Sequence, residues 1–358
     1  MARRVMVRLL VPALVVLCST SAVTATAAPL VLPCPLAAGW QRLVAQRLPR
    51  RDGDGQVVGG LSAVVPVADG HLELLSDAPR PVLVRIDGLG TAAGPRLLQR
   101  LALTSGSAAQ LPATIDGEAF VRRGADLWVA SEGRRSVDRP AQLLRFDRAG
   151  RLRQALDLPA DWQPGPGRGL AANGGPESLA LLQRPGQADA LLMAAEFPLL
   201  QDPPGQVRLL AWSLATAPPR PQPLAPLLLP RGDWGLTDLL PVPDGGGGTW
   251  LLALLRRFDP PDRWGARLAL YPLPPPLPVA AGQRQRPVAA VYSWNLLAGG
   301  AAGPGLPADN WEALAMGPPQ ADGTSSLVLA SDDNFNPFQD NHLVLLAPRR
   351  RADCPASP

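Results

Sequence analysis

Pairs of polar positions recur along the 358-residue chain, and most are carboxylates. The first of each pair precedes a small apolar strand: Ser62 in GLSAVV, Glu118 in DGEAFV, Glu177 in PESLAL, Asp238 in LTDLLP and Glu312 in WEALAM. The second closes the next apolar strand: Asp77 in ELLSD, Glu132 in WVASEG, Glu196 in MAAEF and Asp332 in VLASDD, with a basic residue, Arg256 in LALLRRF, in the fourth copy. First positions are 56, 59, 61 and 74 residues apart, and partners lie 14 to 20 apart. Carboxylates brought together by a repeat repel one another unless protons or a cation compensate. A hard cation such as Ca²⁺ takes six to eight oxygens from Asp, Glu, carbonyls and water. Glu118, Glu132, Glu177, Glu196, Glu312, Asp332 and Asp333 supply enough oxygen for one ion or more, and Arg256 or Arg257 suits an anionic oxygen.

The elements that carry these residues form a repeat. Each copy reads as up to four short apolar runs separated by Gly- and Pro-rich turns, as in DGEAFVRRG, DLWVASEG, AQLLRFDRAG and RLRQALDLP. The 43 prolines and 35 glycines fall between such runs, and no long helical period is present. A multi-strand unit repeated at fixed period predicts an all-β fold, a β-propeller, in which equivalent positions lie on rings around the axis. The count is five blades; a sixth could occupy the Pro-rich stretches 215–232 or 272–288, which otherwise read as loops, like 91–112. The fifth copy has only three runs, WEALAMGPPQADG, SLVLASDD and HLVLLA. Its fourth strand is expected from GWQRLVAQRLP, residues 39–49, so the N-terminal strand would close the ring.

Composition removes several chemistries. Lysine is absent, which excludes a Schiff base or a P-loop lysine. The two histidines, His71 and His342, are too few for a His-based metal cluster and read as surface or packing residues; no G-x-S-x-G occurs. Carboxylate, metal and arginine chemistry remain. A structural use competes: an acid at a strand end can accept backbone N–H groups from a neighbouring turn and do nothing else. Trp128, Trp250 and Trp311 lie in strands and read as core, whereas Phe335 and Phe338 border the DDNFNPF loop.

Residues 1–27 read as a signal peptide: a basic MARRVMVR, an apolar LLVPALVVLC too short to span a bilayer, and small residues ending near Ala27. Removing Arg3, Arg4 and Arg8 takes the formal charge from +4 to +1, which gives no reason to expect nucleic acid as a partner. Export to the periplasm or beyond is expected, with no membrane span and a monomeric state. Cys34 and Cys354 then form an even pair at the two ends of the mature chain, suited to a disulfide that staples the ring. The domain plan is a leader, 1–27; a segment with the ring-closing strand, 28–54; the propeller, 55–347; and a tail, 348–358.

The segment NWEALAMGPPQADGTSSLVLASDDNFNPFQDNHLVLLA, 310–347, resembles the C-terminal signature of an exported bacterial phytase-like family, often labelled as having esterase-like activity. GLSAV with LLSD, DGEAF with LWVASEG, and NGGPESLAL match earlier pieces in order, so the resemblance covers about 55–347. It implies a β-propeller and a phosphoesterase-like activity on a small anionic phosphoester. It also implies roles for Glu118, Glu132, Glu177, Glu312, Asp332, Asp333 and Asn334. On that basis Glu118, Glu132, Glu177, Glu312 and Asp332 are expected metal ligands, Asp332 and Asp333 catalytic, and Asn334 substrate-binding; as cations among the acids, Arg256 is expected to be catalytic and Arg257 substrate-binding. The sequence departs from the family pattern at Pro176, Ala313 and Leu255, where an aromatic, a glycine and an acid are expected. Two functions follow: a Ca²⁺-dependent phosphoester or ester hydrolase, or a non-catalytic propeller whose acids hold a structural ion or keep the blades in register.

Overall fold

A computed structural model describes residues 30–67, 70–112, 114–136, 139–244, 246–261, 263–277, 286–352 and 354. The expected leader lies outside the described residues. Five antiparallel sheets surround one axis. Blade one contains β2 (Leu61–Pro66), β3 (Leu72–Ser76), β4 (Val82–Asp87) and β5 (Arg96–Ala102). Blade two contains β6 (Gly117–Arg123), β7 (Asp126–Ser131), β8 (Gln142–Phe146) and β9 (Leu152–Asp157). Blade three contains β10 (Pro176–Leu182), β11 (Ala190–Ala195), β12 (Gln206–Ser213) and β13 (Arg220–Leu228). Blade four contains β14 (Gly235–Pro243), β15 (Thr249–Asp259), β16 (Arg263–Pro272) and β18 (Tyr292–Asn295). Blade five contains β19 (Trp311–Pro319), β20 (Ser325–Ser331) and β21 (His342–Pro348), completed by β1 (Trp40–Arg47), which pairs antiparallel with β21. The N-terminal strand closes the ring as its sequence pattern predicts.

Among the described residues the Pro-rich stretches form no sixth blade. Residues 220–228 are the outer strand β13 of blade three. The segment 288–296 is split between two blades. Val288–Ala289 (β17) adds to β13 in parallel, and only Tyr292–Asn295 joins blade four. Likewise 91–112 holds β5 rather than loop alone.

Inner strands adjoin in the order β2, β6, β10, β14, β19 and back to β2. Burial explains why the second strands read as continuous apolar runs: β3, β11 and β20 are buried along their whole length. Outer strands expose one face and alternate, as β9 does with Leu152 buried, Gln154 and Leu156 half-buried, and Arg153, Ala155 and Asp157 toward water. The core therefore lies in the wedges between blades, for example Leu74, Ile86, Val328 and Leu343 between blades one and five. Trp128 and Trp311 are core, as expected, and Trp250 packs against it.

The ends are tied together. Cys34 bonds Cys354 across 320 residues, with the Cα atoms 6.0 Å apart, and Cys34 N–H donates to Arg349 O at 3.1 Å. Closing so long a loop removes entropy from the unfolded chain equivalent to about 5 kcal/mol as an upper figure. Replacing both cysteines by serine is expected to lower unfolding free energy by several kcal/mol toward that limit, measured by guanidinium unfolding. An unchanged midpoint would mean that β1 holds the ring without the staple.

Candidate functional site

Each inner strand carries a bulge at its start. Register slips between Leu61 and Ala63, Gly117 and Ala119, Pro176 and Ser178, Leu236 and Asp238, and Trp311 and Ala313. The extra residues are Ser62, Glu118, Glu177, Thr237 and Glu312, and a bulge re-aims its side chain. Four of the five first positions read from the sequence are therefore equivalent. The fourth is corrected: Thr237, not Asp238, occupies the bulge. Thr237 Oγ1 donates to Trp311 O at 3.2 Å, while Asp238, one step on, accepts N–H groups from Leu239 at 2.8 Å and Leu314 at 2.7 Å. Burial holds the Asp238 carboxyl well above its usual range, with those two bonds opposing.

In four blades the second position follows the last pair of the inner hairpin, and in blade four Arg256 is itself paired, with Gly235. Asp77, Glu132, Glu196, Arg256 and Asp332 occupy one place in the five blades, so the expected acid of blade four is replaced at Arg256, and Leu255 is a core residue beside it. Several of these side chains lie against the next blade. Glu132 Oε1 accepts from Gly175 N at 3.2 Å, and Asp332 Oδ1 from Leu61 N at 3.0 Å. A Cβ on Gly175 or Gly235 would collide with Glu132 or Glu196, so these two glycines make room for the acids.

Within this double ring the carboxylates have two fates. One group is spent. Arg256 donates to Glu196 at 2.5 Å and also to Glu312 and Asn310. Burial alone would lower the Arg256 pKa, but the charges of Glu196, Glu312 and Glu177 raise it, so the guanidinium stays charged. Asp332 also accepts from Asn334 N at 2.9 Å, and Asp333 accepts from Gly60 N and Phe335 N, both at 3.0 Å. These bonds fix the DDNFNPF loop; Phe338 projects into solvent at 94% exposure. Asn334, at φ 48°, reaches Gln339 at 3.4 Å. Arg257 points elsewhere, pairing with Asp259 and lying 5.7 Å over the Trp234 ring, so it is not brought to the acids.

The other group is free. Glu118 and Glu177 are 7% and 6% exposed, and neither accepts a hydrogen bond from any described residue. Buried oxygens of Asp77, Glu196 and Glu312 also lack partners among the described residues. Donor atoms of Glu118, Glu132 and Glu177 lie within 4.8 Å of one another, as do those of Asp77, Asp116 and Glu118. Glu118 belongs to both sets. Burial, then the charges of neighbouring carboxylates, pushes Glu118 and Glu177 well above the usual range. Burial likewise raises Asp77 and Glu132 to about 7, and raises Glu312 to about 7 against the opposing charge of Arg256. These buried acids could hold a metal ion.

Three residues at the site escaped the sequence reading. Asp116 stands two places before Glu118, and its carboxylate accepts from Arg134 Nε at 2.8 Å. Asn310, the counterpart in blade five, bonds Glu312 at 2.8 Å. Arg134, 42% exposed at the mouth, also lies 3.9 Å from Glu132. The DGE and NWE triplets and the SEGRR run carry these residues in the sequence. His342 is a packing residue, as expected. Its Nδ1 meets both Asp309 at 2.9 Å and Ser331 at 3.4 Å, so one nitrogen faces both partners and no proton relay from Ser to Asp can run through the ring.

Fold and site together define a five-bladed propeller with a double ring of buried acids at one mouth of its axis. The chain belongs to the phytase-like family described as "esterase-like activity of phytase", whose model matches residues 56–335. Solved structures of similar shape include an α-L-arabinanase of Cellvibrio cellulosa, 12% identical over 80% of this chain and 91% of that one, with a TM-score of 0.43. The Dos1 propeller is 9% identical over 84% and 73%, at 0.35, and a periplasmic gluconolactonase of Pseudomonas aeruginosa is 14% identical over 81% and 76%, also at 0.35. No curated protein matches the chain in sequence.

The raised carboxyls set the pH dependence. An unfolded Asp or Glu titrates at about 4, whereas Asp77, Glu132 and Glu312 titrate at about 7 in the folded chain. Between those values the folded state binds more protons, so stability falls as pH rises from about 4 to about 7 and then levels. In metal-free buffer the unfolding free energy from urea denaturation is expected to be lower at pH 8 than at pH 5, by roughly 3 kcal/mol for each such group. A midpoint that rises over this interval would contradict the burial of these acids in the absence of a cation.

Proposed function

We propose that the chain is an exported, metal-dependent hydrolase of small anionic phosphoesters, acting at the acidic mouth of the propeller as a monomer. The observation that carries this reading is the pair of buried, unpartnered carboxylates Glu118 and Glu177 amid further acids. Buried charge without a partner is costly, and a divalent cation would offset it. Glu118, Glu132 and Glu177 would hold the ion, with Asp77 and Asp116 grouped on the other side of Glu118, and an all-oxygen donor set suits Ca²⁺. Glu312 and Asp332, expected as ligands from the sequence, keep their places beside it but are engaged by Arg256, Asn310 and backbone N–H groups.

When bound, a metal of this kind polarises a phosphoryl oxygen and lowers the pKa of a bound water. The chain's own residues supply the rest. Beside Glu132 opens a cavity of about 230 Å³ lined by Arg139, Ser136 and Gln163 among others. Arg139 Nε is buried there without a partner among the described residues, and its Nη1 lies 4.0 Å from Asp116. Arg134 and Arg139 would offset the phosphate charge, the task expected of Arg256 and Arg257. Arg256, Asp332 and Asp333 then act on geometry: they lock blades three, four, five and one around the ligands. Export is supported by the basic and apolar start of the sequence and by the Cys34–Cys354 disulfide.

The second reading is a non-catalytic propeller, favoured by the bonds that occupy Asp238, Asp332 and Asp333. One experiment separates the two. Ca²⁺ is expected to raise the melting midpoint of the mature protein at pH 7.5 and to leave that of Glu118→Gln unmoved. Hydrolysis of an aryl phosphomonoester should fall at least about tenfold in Arg134→Gln with the Ca²⁺ shift intact. A Ca²⁺ shift without any hydrolysis in the wild type would favour the structural ion.

A further inference from the structure

At the face opposite the acids, the strands of blades one and two build a second charged cavity. Glu73 lies near the start of β3 and Arg122 near the end of β6, so each is separated from Asp77 or Glu118 by four residues, about 13 Å of strand. Glu73 is only 3% exposed and stands in register beside Arg85 of β4, which stands beside Gln99 of β5. Arg85 donates to Glu73 Oε1 through Nη2 at 2.7 Å and Nε at 3.3 Å, while Arg122 donates through Nε to Oε2 from the neighbouring blade. One buried carboxylate thus orients two guanidinium groups from two blades. Nη1 of Arg85 and both terminal nitrogens of Arg122 form no bond with any described residue.

The space they border has a volume of about 690 Å³, with Leu83 and Leu101 among its walls and Arg148 and His71 at its edge. Arg148 is exposed and makes no ion pair among the described residues. Three arginines against one carboxylate leave two positive charges facing the cavity. Guanidinium groups held in a fixed plane by a buried acid are set to bind an oxyanion at more than one oxygen, with little entropy left to lose.

We propose that this cavity between blades one and two is a binding site for a phosphoryl dianion, inorganic phosphate or the phosphate of a small monoester, held by Arg85, Arg122 and Arg148. The site is independent of the acidic mouth and requires no metal. Glu73 is its positioning residue, since it holds the two inner guanidinium groups without facing the ligand alone.

Calorimetric titration of inorganic phosphate into metal-free protein at low salt tests the assignment. One phosphate per chain is expected, with affinity about tenfold or more weaker in Arg122→Gln and several-fold weaker in Arg148→Gln. Circular dichroism melts establish that Arg122→Gln is folded. If that variant fails to fold, Arg148→Gln decides, because Arg148 supports no contact whose loss would disturb the blade. No heat up to about 10 mM phosphate, or equal affinity in the wild type and Arg148→Gln, overturns the site. Equal binding of succinate would overturn the phosphoryl assignment.

Discussion

The structure depends on one electrostatic constraint: a five-fold ring of inner strands brings buried carboxylates together around its axis, and their repulsion must be met. The propeller meets it in three ways. Arg256 replaces one acid and serves Glu196 and Glu312 at once. Backbone N–H groups of the adjoining blade take up Glu132 and Asp332, so each such acid also fixes one blade against the next. Raised proton affinity meets what remains at Asp77, Glu118 and Glu177 and at the second oxygen of Glu132, whose first oxygen alone takes the Gly175 N–H. The first two are permanent. The third is exchangeable, because a cation can take the protons' place, and this is why the free acids rather than the ring as a whole define the candidate site.

Blade geometry explains the division of labour. A bulge at the start of every inner strand turns one side chain toward the mouth, and a residue just after the second strand, or within it at Arg256 of blade four, meets it from the side. Where the bulged residue is Ser62 or Thr237 the ring carries no acid, and where it is Glu118 or Glu177 the ring is acidic and unpartnered among the described residues. Glu312 is the bulged acid that Arg256 claims. The acidic side of the mouth therefore faces blades two and three, where Arg134 and Arg139 also stand. Charge is distributed unevenly around a nearly symmetric scaffold, and the uneven part is the part with chemistry.

Much of this was legible in the sequence. Repeated apolar runs with a fixed period gave five blades, and the incomplete fifth copy pointed to residues 39–49 as the missing strand, which β1 supplies. The terminal cysteines were legible as the ring staple. Blade four misled, because Asp238 is the only acid near the expected place, while the bulge is defined by backbone register. The glycine two residues earlier in blades one, three and four, at Gly60, Gly175 and Gly235, aligns Thr237 instead. Arg257 looked equivalent to Arg256, yet adjacent residues of a strand face opposite ways, and only one of the two can point into the ring. Asp116 and Arg134 were hidden because neither lies on the repeat that drew attention to the other acids. The basic cavity around Glu73 joins residues from three strands and two blades, a combination that spacing along one chain does not reveal.

The central claim is that Glu118, Glu132 and Glu177 form an exchangeable cation site. Anomalous diffraction from crystals grown with Mn²⁺ or Ca²⁺ at neutral pH tests it most directly. The account predicts a peak bounded by these three carboxylates at metal–oxygen distances of about 2.0 to 2.6 Å. Absence of a peak, with Glu118 and Glu177 drawn together by a shared proton, would contradict it.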